Sequence, residues 1–240
     1  MKKNQVKRNL VLGILFFLPV VFLLFLYPST HNYIPLDVVN QNVLELEAFS
    51  SESSETVALK DNITIICFFG KKPLDYSISA SNLKELVYDK FKGFKRFQIV
   101  AIMPKGTESQ VEDLKQKVNN YDDVRFWYYV FGEPNTIERF YRSLKTKSDL
   151  NPDLSSEEIF IVDKELNQRG RKDDRDKKEL DAQPSRPLYS YNSIDIGEIK
   201  NKMSDDMRVL FTEYRQKRKG TFDSSKRRAN DLNYKDEQAN

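Results

Sequence analysis

The sequence has few of the residues that build most metal and redox centres. Its 240 residues include one cysteine, Cys67, and one histidine, His31. A disulfide scaffold, an intramolecular Cys-x-x-Cys redox site and a Cys/His zinc cluster each need more than this. Glycine and proline are also scarce, and 31% of the residues are charged, which argues against collagen, low complexity or disorder throughout. We therefore expect one folded core with appendages.

The usual catalytic motifs are missing as well. A Ser-His-Asp triad is excluded because the only histidine lies on a predicted tether ahead of the core. Neither Gly-x-x-x-x-Gly-Lys nor Gly-x-Gly-x-x-Gly occurs. Carboxylate pairs such as Asp205-Asp206 are adjacent in sequence, and adjacent side chains on a helix or strand point apart. The sequence therefore predicts a protein that is not an enzyme and has no catalytic residues.

Charge is nearly balanced, with 39 Lys and Arg against 36 Asp and Glu, but it is unevenly distributed. From Arg215 to the end there are eight basic and four acidic residues. A basic terminus can attract an anionic partner, although a solvated tail is the simpler interpretation. Residues 218–240 are predicted to be a basic, disordered tail, and no nucleic-acid partner is expected.

The longest apolar run, Leu10–Tyr27, has 18 residues and no charge. As a helix it would be roughly 27 Å long, close to the thickness of a bilayer core. Four basic residues precede it, and no Lys or Arg follows until Lys60, a pattern that places the N-terminus in the cytoplasm. Residues 1–9 are therefore predicted to be a cytoplasmic leader and residues 10–27 a transmembrane signal anchor.

A cleaved signal peptide is the alternative interpretation of this segment. The run is longer than a typical signal-peptide core, and its exit, Tyr27-Pro28-Ser29-Thr30, is not a small-x-small cleavage site. The sequence therefore favours a single-pass membrane protein with an extracytoplasmic domain. A bacterial inner membrane, with the domain in the periplasm, is preferred because no long Arg-rich and Ser-rich presequence is present.

Beyond the apolar run, residues 28–42 are predicted to be a tether, and strand-like and helix-like segments then alternate. Val43–Phe49 and Glu55–Leu59 flank a polar stretch and predict a β-hairpin. Ile63–Phe69 is apolar at every position except Thr64, which is typical of a buried central strand. Further strands are predicted at Phe97–Met103, Val124–Phe131 and Ile159–Asp163, with helices near 82–91, 107–118, 134–144 and 194–216.

This hairpin-led order of strands and helices predicts the fold class. It is typical of an α/β three-layer sandwich of the thioredoxin type. The predicted domain covers residues 43–217 and is preceded by one transmembrane helix.

Several short motifs, taken in order, resemble those of a known family. Phe69–Pro73 follows the central strand with a matching phenylalanine and proline, and Ala101–Pro104 ends the next strand in proline. Trp127–Gly132 keeps a Trp-to-Gly spacing, and Asp163–Gly170 ends in Arg-Gly. Together they resemble the Sco/SenC family of membrane-anchored, thioredoxin-like copper chaperones of cytochrome oxidase assembly.

The chain departs from this family at the positions that carry its chemistry. The resemblance implies two cysteines on one turn and a distant histidine, and Lys72, Tyr76 and Ser155 occupy those positions. An ammonium group is a poor metal ligand, and neither hydroxyl replaces a thiolate. Dithiol exchange is lost for the same reason. The sequence therefore predicts no bound metal or cofactor, with copper kept as an open possibility.

The resemblance implies a membrane-anchored protein of Sco type with a degenerate site, acting as a noncatalytic binding or assembly factor related to cytochrome oxidase biogenesis. Its expected partners are the membrane and a protein, such as an oxidase assembly component. Lys71, Lys72, Pro73 and Tyr76 could form a cationic, aromatic rim that suits an acidic partner. Two solvated lysines on a turn are the simpler alternative.

A second hypothesis keeps the copper chaperone function with unusual ligands. Cys67, Met103 and His31 could then bind copper, or one thiol per chain could form a dimer. Because Cys67 lies within an apolar strand, a buried small side chain is the favoured interpretation. A peroxidase is weaker still, because Cys67 precedes the expected reactive loop.

Overall fold

The computed structural model describes residues 2–26, 33–51, 56–119, 124–175 and 184–222. Helix α1, Lys2–Leu26, belongs to a unit separate from the domain that starts at Ile34. Within it, Gln5–Leu24 is long and apolar enough to cross a membrane, a property that signal sequences share. The predicted tail beyond residue 222, the exit after Leu26 and His31 lie outside the described residues.

The described residues of the domain form one mixed sheet of eight strands. In the order β1-β7-β6-β3-β4-β5-β2, the strands β3, β4 and β5 are parallel, and β6 runs antiparallel to β3. Strand β8 pairs with β6 on a side branch. The strands are β1 Asp37–Asn40, β2 Ser50–Ser51, β3 Ile63–Phe69, β4 Phe97–Pro104, β5 Trp127–Gly132, β6 Ser155–Val162, β7 Gln168–Gly170 and β8 Tyr191–Asn192.

Helical segments connect these strands. The first runs from a 3-10 turn, Pro73–Tyr76, through α2 Ser77–Leu83, a π-helical turn Lys84–Tyr88 and α3 Asp89–Phe91. Helix α4 is Glu108–Asn119 and α5 is Pro134–Arg142. A second π-helical turn, Glu198–Met203, leads into α6, Ser204–Lys219.

The apolar alternation of β3 divides the interior into two cores. The side chains of Ile65, Cys67 and Phe69 enter one core, and those of Ile66 and Phe68 enter the other. Such alternation follows from the two-residue period of a strand, and burial on both faces requires a layer of structure on each side.

The helices cover the two faces of the sheet. Leu83 of α2, Leu114 of α4 and Leu210 of α6 pack in the first core. Phe140 of α5 packs in the second, on the apolar stripe of a helix that begins at Pro134. The predicted α/β three-layer sandwich of thioredoxin type is confirmed.

The predicted N-terminal hairpin is wrong. Neither Val43–Phe49 nor the described part of the second segment, residues 56–59, forms a strand. The nearby strands β1 and β2 pair with β7 and β5, at opposite edges of the sheet. The Glu45 carboxylate accepts backbone hydrogen bonds from Leu59 at 2.6 Å and Lys60 at 2.9 Å. Those amides are therefore bound to a side chain instead of a partner strand.

The predicted tether, residues 28–42, also extends too far towards the C-terminus. Asp37–Asn40, placed in the tether from sequence, forms β1, and Leu36 is already buried. The Asp37 carboxylate accepts a hydrogen bond from the Lys172 amide at 2.9 Å. The domain therefore begins before the predicted boundary at residue 43.

Candidate functional site

The candidate site lies at the carboxyl end of β3, where the chain turns into the first helical segment. Gly70 has a φ of +64°, and a Cβ atom there would lie 2.7 Å from the Asp153 carbonyl oxygen. The Lys71 amide donates to the same oxygen at 2.9 Å. Glycine is therefore required both by the left-handed backbone and by the close approach of the segment before β6.

Two of the three positions singled out from sequence meet at this point. The Tyr76 hydroxyl donates to Ser155 Oγ at 2.7 Å, and Ser155 Oγ donates to Asp153 Oδ1 at 2.5 Å. Asn151 Nδ2 donates to Ser155 Oγ at 3.2 Å. We call these four residues the Ser155 cluster. Lys72 does not join it, and its exposed side chain has no hydrogen bond or ion pair with the described residues.

The Ser155 hydroxyl has no bonding capacity left. A serine hydroxyl offers one donor and two acceptor positions, and Asp153, Tyr76 and Asn151 use all three. Ser155 is only 1% exposed. The cluster therefore links the turn to the start of β6 through hydrogen bonds that occupy every bonding position of the serine hydroxyl. The serine is not placed to attack a substrate.

Sequence reasoning missed half of this cluster. Asn151 and Asp153 belong to Asn-Pro-Asp-Leu-Ser, a turn-forming sequence that ends at Ser155. The Asp153 side chain also accepts from the Ser155 amide at 3.2 Å, the local bond that an aspartate two residues before a serine readily makes. That Asp-x-Ser spacing was the available signal.

The predicted partner-binding rim needs a correction. Pro73 is buried inside the turn, so it offers no surface to a partner. Lys71 and Lys72 are exposed, whereas the ring of Tyr76 is half-buried and stacks on Phe69 at 6.0 Å between centroids. Ile78, one turn further, is 64% exposed and was not predicted. The exposed residues of this segment are therefore Lys71, Lys72, Asp75 and Ile78, and we call Lys71, Lys72 and Ile78 the Lys71/Lys72 rim.

The single thiol does not belong to the site. Cys67 is fully buried, its Sγ lies 3.6 Å from the Val100 carbonyl oxygen, and burial raises the pKa of the thiol far above its usual value. Met103 is also fully buried in the same core. Within the described residues, no group of three or more His, Cys, Asp and Glu side chains is placed to hold a metal ion. Cys67 would have to lose its proton in an apolar core before it could bind copper.

The Asp163–Gly170 motif serves the fold and not the site. Arg169 is fully buried and donates to Asp163 at 2.9 Å, to the Leu36 carbonyl oxygen at 2.8 Å and to Glu213. Burial alone would lower the pKa of Arg169, but the two carboxylates outweigh it and raise that pKa. The arginine therefore ties β7, α6 and the segment before β1 together as a permanent cation.

Comparison with known proteins finds only distant structural likenesses. No protein-family model and no curated protein matches the chain. Similar solved structures include ScoI of Bradyrhizobium japonicum with copper bound, at 13% identity and a TM-score of 0.39 over 72% of this chain and 100% of that chain. ScoI of Arabidopsis thaliana with copper bound has 14% identity and a TM-score of 0.40, over 67% and 94%.

A third similar structure is the thioredoxin domain of a thiol-disulfide oxidoreductase from Bacteroides vulgatus. It is 15% identical, with a TM-score of 0.38, over 55% of this chain and 86% of that chain. At these identities and TM-scores, fold and function both have to be argued from this chain's own residues.

Proposed function

We propose that the protein is a noncatalytic binding or assembly factor, in which a thioredoxin-like domain presents the turn after β3 to a protein partner. The Ser155 cluster carries this proposal. It contains Tyr76 and Ser155, two of the three positions at which the Sco/SenC resemblance implies metal ligands, and it joins them in a closed set of hydrogen bonds.

The cluster suits recognition better than chemistry. The described hydrogen-bond partners of its hydroxyls include no thiol, and Cys67 is buried in the core with a raised pKa. The hydrogen bonds also fix the turn before any partner arrives. A preordered turn loses less conformational entropy on binding, so the same contacts give a higher affinity.

The Lys71/Lys72 rim gives this turn its binding character. Two exposed lysines beside a 64% exposed Ile78 combine positive charge with an apolar anchor. An acidic surface with a shallow apolar pocket is the complementary partner. The resemblance to the Sco/SenC family makes a component of cytochrome oxidase assembly the proposed partner. Helix α1 would hold the domain at the membrane, on its extracytoplasmic side.

Affinity capture from solubilised membranes tests the proposal. The full chain and its Lys71→Glu/Lys72→Glu variant are compared, and the variant should lose a partner that wild type retains. Lys95→Glu/Arg218→Glu is a matched control, because it reverses two charges at the opposite end of the sheet. If the rim variant recovers the same proteins as wild type, the rim does not bind the partner.

A further inference from the structure

A cavity lies at the opposite end of the sheet from the Ser155 cluster. It has a volume of about 640 Å³ and opens beside Ile63, the first residue of β3. Five cationic side chains line it, those of Lys95, Lys164, Arg215, Lys217 and Arg218. We call this cavity the basic cleft.

The cations reach the basic cleft from separate parts of the chain. Lys95 precedes β4, Lys164 lies in the turn between β6 and β7, and Arg215 belongs to α6. Cations in the last turn of a helix offset its dipole, which accounts for Lys217 and Arg218 alone. The convergence of the other three on one cavity needs a different explanation.

Most of this positive charge is not neutralised within the domain. Lys217 pairs with Glu213 at 2.9 Å, and Glu165, the one acidic residue among those that line the cleft, accepts a hydrogen bond from Tyr214. Among the described residues, no acid lies within ion-pair distance of Lys95, Arg215 or Arg218. The cleft therefore offers free cations to an anion.

Aromatic rings form the other part of the lining. Phe94 stacks on Phe211 at 4.3 Å between centroids, and Phe94 is still 36% exposed. Tyr214 lies between two lysines, with Lys164 Nζ at 5.1 Å and Lys217 Nζ at 4.7 Å from the ring centroid. The partly exposed ring of Phe94 offers a surface on which a further planar group can stack.

We propose that the basic cleft binds a small phosphorylated compound that carries a planar ring, as a nucleoside diphosphate does. Its phosphate oxygens pair with Lys95, Arg215 and Arg218 through charge-assisted hydrogen bonds, and its ring stacks on Phe94. The volume lies within the range of small-molecule sites, about 300 to 1,000 Å³. A simple anion would use the cations and leave the exposed ring unused.

Isothermal titration of the full chain in a neutral detergent tests this proposal, with adenosine diphosphate as the probe. Pyrophosphate and adenosine report on the phosphates and the ring separately, and each should bind more weakly than the diphosphate. Lys95→Glu/Arg218→Glu should weaken diphosphate binding by about tenfold or more, since two charged partners are lost. Phe94→Leu should weaken diphosphate binding and leave pyrophosphate binding unchanged.

The Lys71→Glu/Lys72→Glu variant is the charge-matched control and should bind the diphosphate as wild type does. No binding of adenosine diphosphate at millimolar concentration overturns the proposal. So does equal binding of diphosphate and pyrophosphate, because the ring then contributes nothing. A hexaglutamate peptide that binds more tightly than the diphosphate would assign the cleft to an acidic protein segment instead.

Discussion

Replacing Ser155 by alanine tests most directly whether the Ser155 cluster stabilises the fold by holding the turn against β6. The change removes the one atom shared by Tyr76, Asn151 and Asp153. A buried polar group left without a partner costs about 1 to 3 kcal/mol. Tyr76 and Asp153 are only half-buried and Asn151 is exposed, so water can replace part of the loss. We expect the free energy of unfolding to fall by about 1 to 2 kcal/mol.

Urea unfolding of the full chain in detergent measures this change. The fluorescence of Trp127, the single tryptophan, reports on the core because its side chain is buried. In a thermal experiment, each kcal/mol should lower Tm by about 2 to 4 °C for a domain of this size. Tyr76→Phe should cost less, about 0.5 to 1 kcal/mol, because Ser155 keeps its other two partners.

Ser190→Ala is the matched control for this experiment. Ser190 is as buried as Ser155, but its Oγ has no hydrogen-bond partner among the described residues. Its removal should change the free energy of unfolding by less than about 0.5 kcal/mol. If Ser155→Ala lowers the free energy of unfolding no more than Ser190→Ala does, the cluster does not stabilise the turn and the role assigned to it is wrong.

Three further predictions concern the same domain. Gly70→Ala should lower the free energy of unfolding by about 1 to 3 kcal/mol in urea titration, because φ is +64° and Asp153 leaves no room for Cβ. Cys67 should react with a thiol reagent only as fast as the domain unfolds, and rapid labelling without denaturant would show an accessible thiol. Burial alone would raise the pKa of Asp173, but hydrogen bonds from Arg175 and the Arg186 amide lower it to about 2. Its stabilisation is present above the unfolded pKa, near 4, and is lost as pH falls towards 2. Asp173→Asn should therefore lose less stability than wild type between pH 4 and pH 2, and equal losses would contradict the assignment.

The layered architecture could be predicted from the sequence, because it depends on local patterns of apolar residues. Ile63–Phe69 is apolar at nearly every position, which fits a strand covered on both faces, and it lies at the centre of the sheet. The stripe of Ile137, Phe140 and Tyr141 has helical spacing and is buried as predicted. Such segments can be predicted because strand and helix periods are set by backbone geometry.

The misplaced elements depend on contacts between residues distant in sequence. Val43–Phe49 was predicted to be a strand of the hairpin, but its Glu45 binds the amides of Leu59 and Lys60, and the described residues of the two hairpin segments form no strand. Pro73 was expected at the surface and is buried by the turn that contains it. No local pattern in the sequence encodes either pairing.

Only two of the four residues of the Ser155 cluster were predicted, again because the other two depend on contacts between distant segments. The Sco/SenC resemblance pointed to Tyr76 and Ser155, which lie 79 residues apart and meet in a hydrogen bond. The contribution of Asn151 and Asp153 depends on how the segment before β6 passes over Gly70. The basic cleft was not predicted at all, because its cations come from three chain segments that meet only in the fold.

Copper stoichiometry tests the central proposal most directly, namely that Lys72, Tyr76 and Ser155 leave no copper site where the Sco/SenC resemblance implies one. The full chain, purified without a tag, is loaded with Cu(I) under anaerobic conditions and dialysed against a competing chelator. No copper should be retained, because the Tyr76 and Ser155 hydroxyls are held in the hydrogen bonds of the Ser155 cluster and Cys67 is buried. About one tightly held copper ion per chain would contradict it and would support a copper chaperone with unusual ligands.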